Sequence, residues 1–217
     1  DNVIIDGFYL DGNNPTLGDQ GGQASASNGV YLHIAGGIAN GTENPLNNWQ
    51  SPISNLTVSN NIFTNFNIYG VMLASDLSVP KGNNLISKNV FDNMAGGDTP
   101  YGSRRGIALR NNQYASVMNN KFTRVRVGIS ASIYSAPNPG AAAIISGNAI
   151  SSVRDGIWLQ QFTQNTSPFT ISNNTMDTEA GSNINVGVRL YTIKDSSNVL
   201  VQNNTINPGV LNGVQLW

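Results

Sequence analysis

The chain has 217 residues, of which 39% are hydrophobic and only 11% charged, with a formal net charge of −1 and no cysteine. This balance excludes disulfide frameworks, thiolate metal sites and a cysteine nucleophile, and it lacks the basic footprint of a nucleic-acid binder. No apolar run approaches the roughly 18 residues of a membrane-spanning helix, so no membrane insertion is expected. Disorder normally couples high net charge with few β-branched residues. Here the apolar residues are regularly placed, and 33 asparagines and 23 glycines recur in phase with them.

Taken in chain order, the same phrase returns seven times. The first copy carries Ile5, Leu10 and Gly29-Val-Tyr-Leu, with Phe8 between the first two; the second carries Val58, Asn61, Phe63 and Gly70-Val-Met-Leu. The third reads Ile86, Asn89, Phe91 and Gly106-Ile-Ala-Leu, and the fourth Val117, Asn120, Phe122 and Gly128-Ile-Ser-Ala. The fifth has Ile145, Asn148, Ile150 and Gly156-Ile-Trp-Leu; the sixth has Ile171, Asn174, Met176 and Gly187-Val-Arg-Leu. Val201, Asn204, Ile206 and Gly213-Val-Gln-Leu close the series. Between the asparagines the spacing drifts through 28, 31, 28, 26 and 30 residues. A repeat of that length is one structural unit stacked on itself.

The position three before the asparagine is β-branched in every copy, which suits a pleated, buried surface. Each copy reads as three short strands with period-two alternation, and no segment has a 3.6-residue stripe. The expected fold is therefore all-β: a single-stranded right-handed parallel β-helix of about seven rungs, three short strands each, rising about 4.8 Å per rung. Strand parity turns the asparagine inward beside the apolar residue two positions on. A buried amide must satisfy both its donors and its acceptor, so stacked asparagines are expected to bond to one another as an internal ladder.

These phased columns resemble the right-handed parallel β-helix repeats of the pectin-lyase-like superfamily, over essentially the whole chain. The resemblance implies a fold rather than an activity, because the superfamily spans polysaccharide lyases, glycoside hydrolases, uronan epimerases, phage tailspikes and surface proteins. In its enzymes the strand corresponding to the glycine strand carries the substrate groove.

The segments on either side of that strand vary most in length, and insertions in a solenoid tend to build its binding face. By parity the outward residues of the glycine strand are Tyr31 and His33, Met72 and Ala74, Ala108 and Arg110, and Ser130 and Ser132. The later copies contribute Trp158 and Gln160, Arg189 and Tyr191, and Gln215 and Trp217. Aromatic rings stack on sugar faces, and arginine holds a carboxylate through paired hydrogen bonds. Two residues before the glycine, Arg104, Arg126 and Arg154 form a second column, about one rung apart. Either an acidic polysaccharide or an internal partner among Asp92, Asp98 and Asp155 would balance them. The expected substrate-binding set is Arg104, Arg126, Arg154, Trp158, Gln160, Arg189 and Tyr191.

Glycoside hydrolysis needs two carboxylates about 5–9.5 Å apart across one bond, and the outward strand positions hold none. The paired aspartates and Gly-His-Gly of polygalacturonases are absent, as is the Asp-Pro-His of mannuronan epimerases. Proton abstraction beside a uronate carboxyl needs a cation and a base. Arg110, Arg189, Tyr191 and His33 are the candidates, and no motif selects among them. The loop from Asp11 to Asp19 has oxygen ligands a Ca²⁺ ion could use, but without the spacing of a calcium loop; Asx turns explain it without metal. No cofactor is expected.

The chain starts inside a repeat and stops on a glycine strand, with no amphipathic capping helix at either end. Bare terminal rungs expose strand edges, so residues 1–217 are expected to form one domain that is a piece of a longer chain or associates end to end. The expected function is an extracellular or cell-surface domain that binds an acidic polysaccharide and, if an enzyme, acts as a lyase or epimerase. The alternative is a non-catalytic adhesin, tailspike-like or fibre module. Ice binding would want flat Thr-x-Thr arrays, and none is present.

Overall fold

The computed structural model describes residues 2–12, 36–39, 53–66, 69–74, 81–94, 105–110, 113–132, 143–160, 165–178, 186–193, 197–207, 209–210 and 212–217. Among these residues every regular element is a strand and every strand pairing is parallel. The fold is an all-β parallel β-solenoid.

One wall is a seven-stranded sheet in the order β1 (Val3–Asp6), β4 (Leu56–Ser59), β7 (Lys81–Ser87), β10 (Gln113–Met118), β12 (Ala143–Ser146), β14 (Asn165–Ser172) and β17 (Ser197–Gln202). A second wall runs through β2 (Tyr9–Asp11), β5 (Ile62–Thr64), β8 (Val90–Met94), β11 (Lys121–Ser132), β13 (Ala149–Gln160), β15 (Thr175–Thr178) and β18 (Thr205–Ile206). The glycine strands make the third: β3 (Gly36–Ala39), β6 (Tyr69–Ala74), β9 (Arg105–Arg110), the later halves of β11 and β13, β16 (Val186–Tyr191) and β19 (Asn212–Leu216). In β11 and β13 the segment before the glycine is so short that two walls share one 12-residue strand. Register shifts after Thr123 and Val125 carry the chain around that corner.

The apolar columns fall in register. Ile5, Val58, Ile86, Val117, Ile145, Ile171 and Val201 pair in sequence along the first wall. Leu10, Phe63, Phe91, Phe122, Ile150, Met176 and Ile206 do so along the second. The ring centroids of Phe63, Phe91 and Phe122 are stacked at 4.8 Å with interplanar angles of 6° and 8°. This distance is set by the strand spacing itself.

The stack also explains the glycines. A Cβ on Gly70 would lie 2.5 Å from the Phe91 ring, and one on Gly106 would lie 2.5 Å from that of Phe122. The Cδ1 and Cε1 atoms of each ring crowd the glycine, and no side chain fits between them.

Asn61, Asn89, Asn120, Asn148 and Asn174 are buried between the first two walls. The Nδ2 of each donates to the Oδ1 of the next, from Asn61 through to Asn204, at 2.9–3.0 Å. Each Oδ1 from Asn89 to Asn204 also accepts the preceding asparagine's backbone N–H. The second Nδ2 proton goes back to a strand carbonyl, as from Asn120 to Ile86 at 2.9 Å. At the first copy, Phe8 supplies only its backbone N–H to Asn61 Oδ1. The residue before each asparagine takes a left-handed turn: Asn60, Lys88, Asn119, Gly147, Asn173 and Asn203 all have φ between 54° and 68°. Asparagine and glycine tolerate that conformation, and lysine carries a Cβ penalty there.

Two expectations are corrected. The strand beside β6 in the first copy is Gly36–Ala39, pairing Ile38 with Val71 and Ala39 with Met72. Ala39 therefore holds the column place expected for Tyr31, and Gly37 is the glycine packed on Phe63. Both Gly29 and Gly37 precede an apolar residue, and only the packing distinguishes them. Second, Met72, Ala74, Ala108, Ser130 and Ser132 are buried rather than outward-exposed, with Tyr69, Met72 and Ala108 forming an apolar cluster separate from the core.

Replacing Asn120 with Ala takes the Oδ1 acceptor from the Asn89 backbone N–H and from one Asn89 Nδ2 proton, and removes the Nδ2 bonds to the Ile86 carbonyl and Asn148 Oδ1. Urea unfolding is expected to show a loss of about 3 kcal/mol, and a loss no larger than that of an exposed Asn198→Ala control would contradict the account. Lys88→Asn relieves the left-handed lysine and is expected to stabilise by about 1 kcal/mol, seen as a raised melting temperature.

Candidate functional site

Among the sequence candidates, His33, Arg104 and Asp19, together with Asp98, lie outside the described residues. Most of the others fall into two groups on the third wall.

The first group is a connected string around a buried carboxylate. Asp155 stands at the turn into the glycine strand, level with Val127 on β11 and Val186 on β16, and its side chain is 0% exposed. Its Oδ1 accepts hydrogen bonds from Arg189 Nε at 3.2 Å and Arg189 Nη2 at 2.9 Å. Arg154 Nε lies 3.4 Å from Oδ2. Burial pushes the Asp155 pKa up. The Arg189 and Arg154 charges, the Arg189 hydrogen bonds and the charge of Arg126 pull it partly back. Burial disfavours the carboxylate form, whereas each nearby guanidinium favours it.

Trp158 extends this string. The Arg154 guanidinium carbon lies 5.6 Å from the Trp158 ring centroid and that of Arg105 5.3 Å, both within cation–π range. Arg105 is level with Val127, which is level with Asp155, so the indole reaches back across β11. Ser130, its neighbour in register, is buried. Two cations thus already attend the ring that was expected to stack on sugar, and the Trp158 Nε1 proton is buried with no acceptor among the described residues. Arg105 was missed in the sequence because its parity assigned it inward.

The second group is exposed. Tyr191 and Trp217 have ring centroids 6.3 Å apart, tilted by 43°, and are 38% and 68% exposed. Trp217 is held in position by backbone bonds from its N–H to the Leu190 carbonyl and from Thr192 N–H to its own carbonyl. Half-buried Gln160 is level with Tyr191, and Trp158, Arg189 and Gln215 are successive neighbours in the adjacent column. Arg189 therefore joins the buried string to the open aromatic pair.

Two sequence candidates stand apart from both groups. Arg110 lies half-buried on β9, level with Ala74. Asp11 is exposed on the second wall and accepts a hydrogen bond from Asn65 Nδ2 at 2.8 Å. Asp92, proposed as a counter-charge to the arginine column, instead pairs with Arg124 on that wall. Among the described residues no three His, Asp or Glu side chains gather as a metal site.

The family described as a right handed beta helix region matches residues 28–217. No curated protein and no solved structure matches the chain.

The raised Asp155 pKa has a pH signature. A carboxyl group whose folded pKa exceeds its unfolded value contributes most to stability below the unfolded pKa. That contribution falls as pH rises through the folded one. The melting temperature of the wild type minus that of Asp155→Asn is therefore expected to fall as pH rises from the ordinary carboxylate value of 3.8 through the raised one. A difference that grows over this window would reverse the assignment.

Proposed function

The chain belongs to the family of right-handed β-helix regions, and from that premise we propose that it is an extracellular domain that binds an acidic polysaccharide along its glycine-strand wall. The seven-stranded wall is read as seven rungs, with the asparagine bonds as their internal ladder. This makes a rigid platform on which binding groups repeat at about the rung spacing.

One observation carries the reading: the exposed Tyr191–Trp217 pair stands in the column next to that of Arg189. Aromatic faces offer apolar contact to a sugar ring, and arginine supplies charge-assisted hydrogen bonds to a carboxylate. Arg126 and Arg154 extend the positive charge toward the preceding strands. The stacking role expected of Trp158 passes to Trp217, because cations already attend the Trp158 ring. If the chain is an enzyme, abstraction of the proton beside a uronate carboxyl is the chemistry that suits this pair, with Arg189 as the cation on the carboxylate and the Tyr191 phenol oxygen as base.

A second reading, a non-catalytic adhesin or fibre module, draws on one specific fact. Arg154, Arg189 and Trp158 are already engaged with one another and with Asp155, as they would be in a surface network that only stabilises the wall.

Retention on immobilised pectate and alginate at low salt separates the two readings. Tyr191→Ala and Trp217→Ala are each expected to weaken retention about tenfold, the loss of roughly one stacking contact. Release of unsaturated uronates, read by ultraviolet absorbance, would add lyase activity. Absence of retention on every acidic glycan would leave only the structural module.

A further inference from the structure

The buried carboxylate of Asp155 is more than a counter-charge. Arginine has two hydrogen-bonding edges: one formed by Nε and one Nη, the other by the two Nη nitrogens. In Arg189 the first edge is taken up entirely by Asp155 Oδ1, through Nε at 3.2 Å and Nη2 at 2.9 Å. Asp155 is held in turn by its burial in the wall and by Arg154 on its other oxygen. The rotamer of a long, otherwise freely rotating side chain is thereby fixed from behind, and among the described residues no hydrogen bond occupies the Nη1–Nη2 edge beyond it. Arg189 itself is 17% exposed in its side chain and stands two residues before Tyr191 on β16, whose ring pairs with Trp217.

We infer that Asp155 is a positioning residue, which orients Arg189 so that its outer edge receives a carboxylate of an acidic glycan seated on Tyr191 and Trp217. The inference rests on the binding function proposed above and assigns its specificity to one side chain that the ligand never touches. Holding a ligating group from behind is the role outer-shell partners have in metal sites, and it lowers the ordering cost of binding. The charged groups around Asp155 are Arg154 on its own strand, Arg126 on β11 and Arg189 on β16. No carboxylate competes with it for Arg189 among the described hydrogen bonds.

Electrostatics and positioning predict opposite signs for one substitution. Asp155→Asn removes a negative charge from a cationic face, so simple Coulombic attraction would strengthen binding of a polyanion. If Asp155 positions Arg189, the same change weakens it.

The test is titration of a galacturonate hexamer into the wild type, Asp155→Asn, Arg189→Lys and the double variant. Asp155→Asn is expected to weaken binding about tenfold, equivalent to one oriented charge-assisted hydrogen bond. Arg189→Lys should do likewise, and the double variant should be little worse than either single one. Equal or tighter binding by Asp155→Asn while the wild type binds overturns the positioning role and leaves the proposed function standing. A wild type that binds no acidic oligosaccharide overturns the proposed function itself.

A measurement on the unaltered protein covers the case in which Asp155→Asn does not fold. The Arg189 Nε–H should give a slowly exchanging nuclear magnetic resonance signal in the free protein, and it should persist when the hexamer binds. Rapid exchange in the free protein, or loss of protection on binding, would overturn the inference.

Discussion

The rest of this solenoid depends on a buried amide that is satisfied only by an identical amide one strand away. Asn120 accepts through Oδ1 from Asn89 and donates through Nδ2 to Asn148 and to the Ile86 carbonyl. An unpaired amide at this depth would cost more than the bond contributes, so the interaction is more important for specifying register than for adding stability. A slip of one residue would put an apolar side chain against the amide and turn the β-branched column outward. Once the asparagines align, Val58 must meet Ile86, and Phe63 must meet Phe91.

The second wall then constrains the third. Phe rings at strand spacing are flat plates, and they bring Gly70 and Gly106 so close that a Cβ would lie 2.5 Å from a ring carbon. Where Ile150, Met176 and Ile206 replace phenylalanine the glycine persists, because the neighbouring glycine carbonyl still stands 2.6–2.7 Å from the added Cβ position at Gly128, Gly156 and Gly187. Glycine is thus retained by backbone proximity as well as by the rings. It also marks where the wall turns, which is why Asp155, just before Gly156, is placed to meet Arg189 from the next strand.

The candidate site uses this geometry unevenly. Over β6, β9 and the end of β11 the outer positions Met72, Ala108 and Ser130 are small or apolar and buried. Toward β16 and β19 the same column changes to Arg189 and Gln215, and the neighbouring one to Tyr191 and Trp217. Polar chemistry is concentrated toward β16 and β19, and a buried carboxylate links Arg154 and Arg189. A buried ion pair is poor evidence of stability. Here it is better understood as fixing side-chain direction, at a cost visible in the raised Asp155 pKa.

Asparagine phase, the β-branched and aromatic columns and the recurrent glycine determined the parallel stacking and the register of nearly every strand pair. These are local alternations repeated many times, so a misreading in one copy is outvoted by the others. Where the repeat is irregular the vote fails: Gly29 and Gly37 fit the local pattern equally well, and only contact with Phe63 selects Gly37. Parity also distinguished inward from outward without telling exposed from covered, which is why Met72 and Ser130 proved buried. The tertiary structure alone decided that Arg105 and Arg154 attend Trp158, that Trp217 opens beside Tyr191, and that Asp155 holds Arg189. Those partners are 26 to 53 residues apart or leave the strand's alternation at a corner, and long side chains choose among neighbours by charge and space rather than by sequence period.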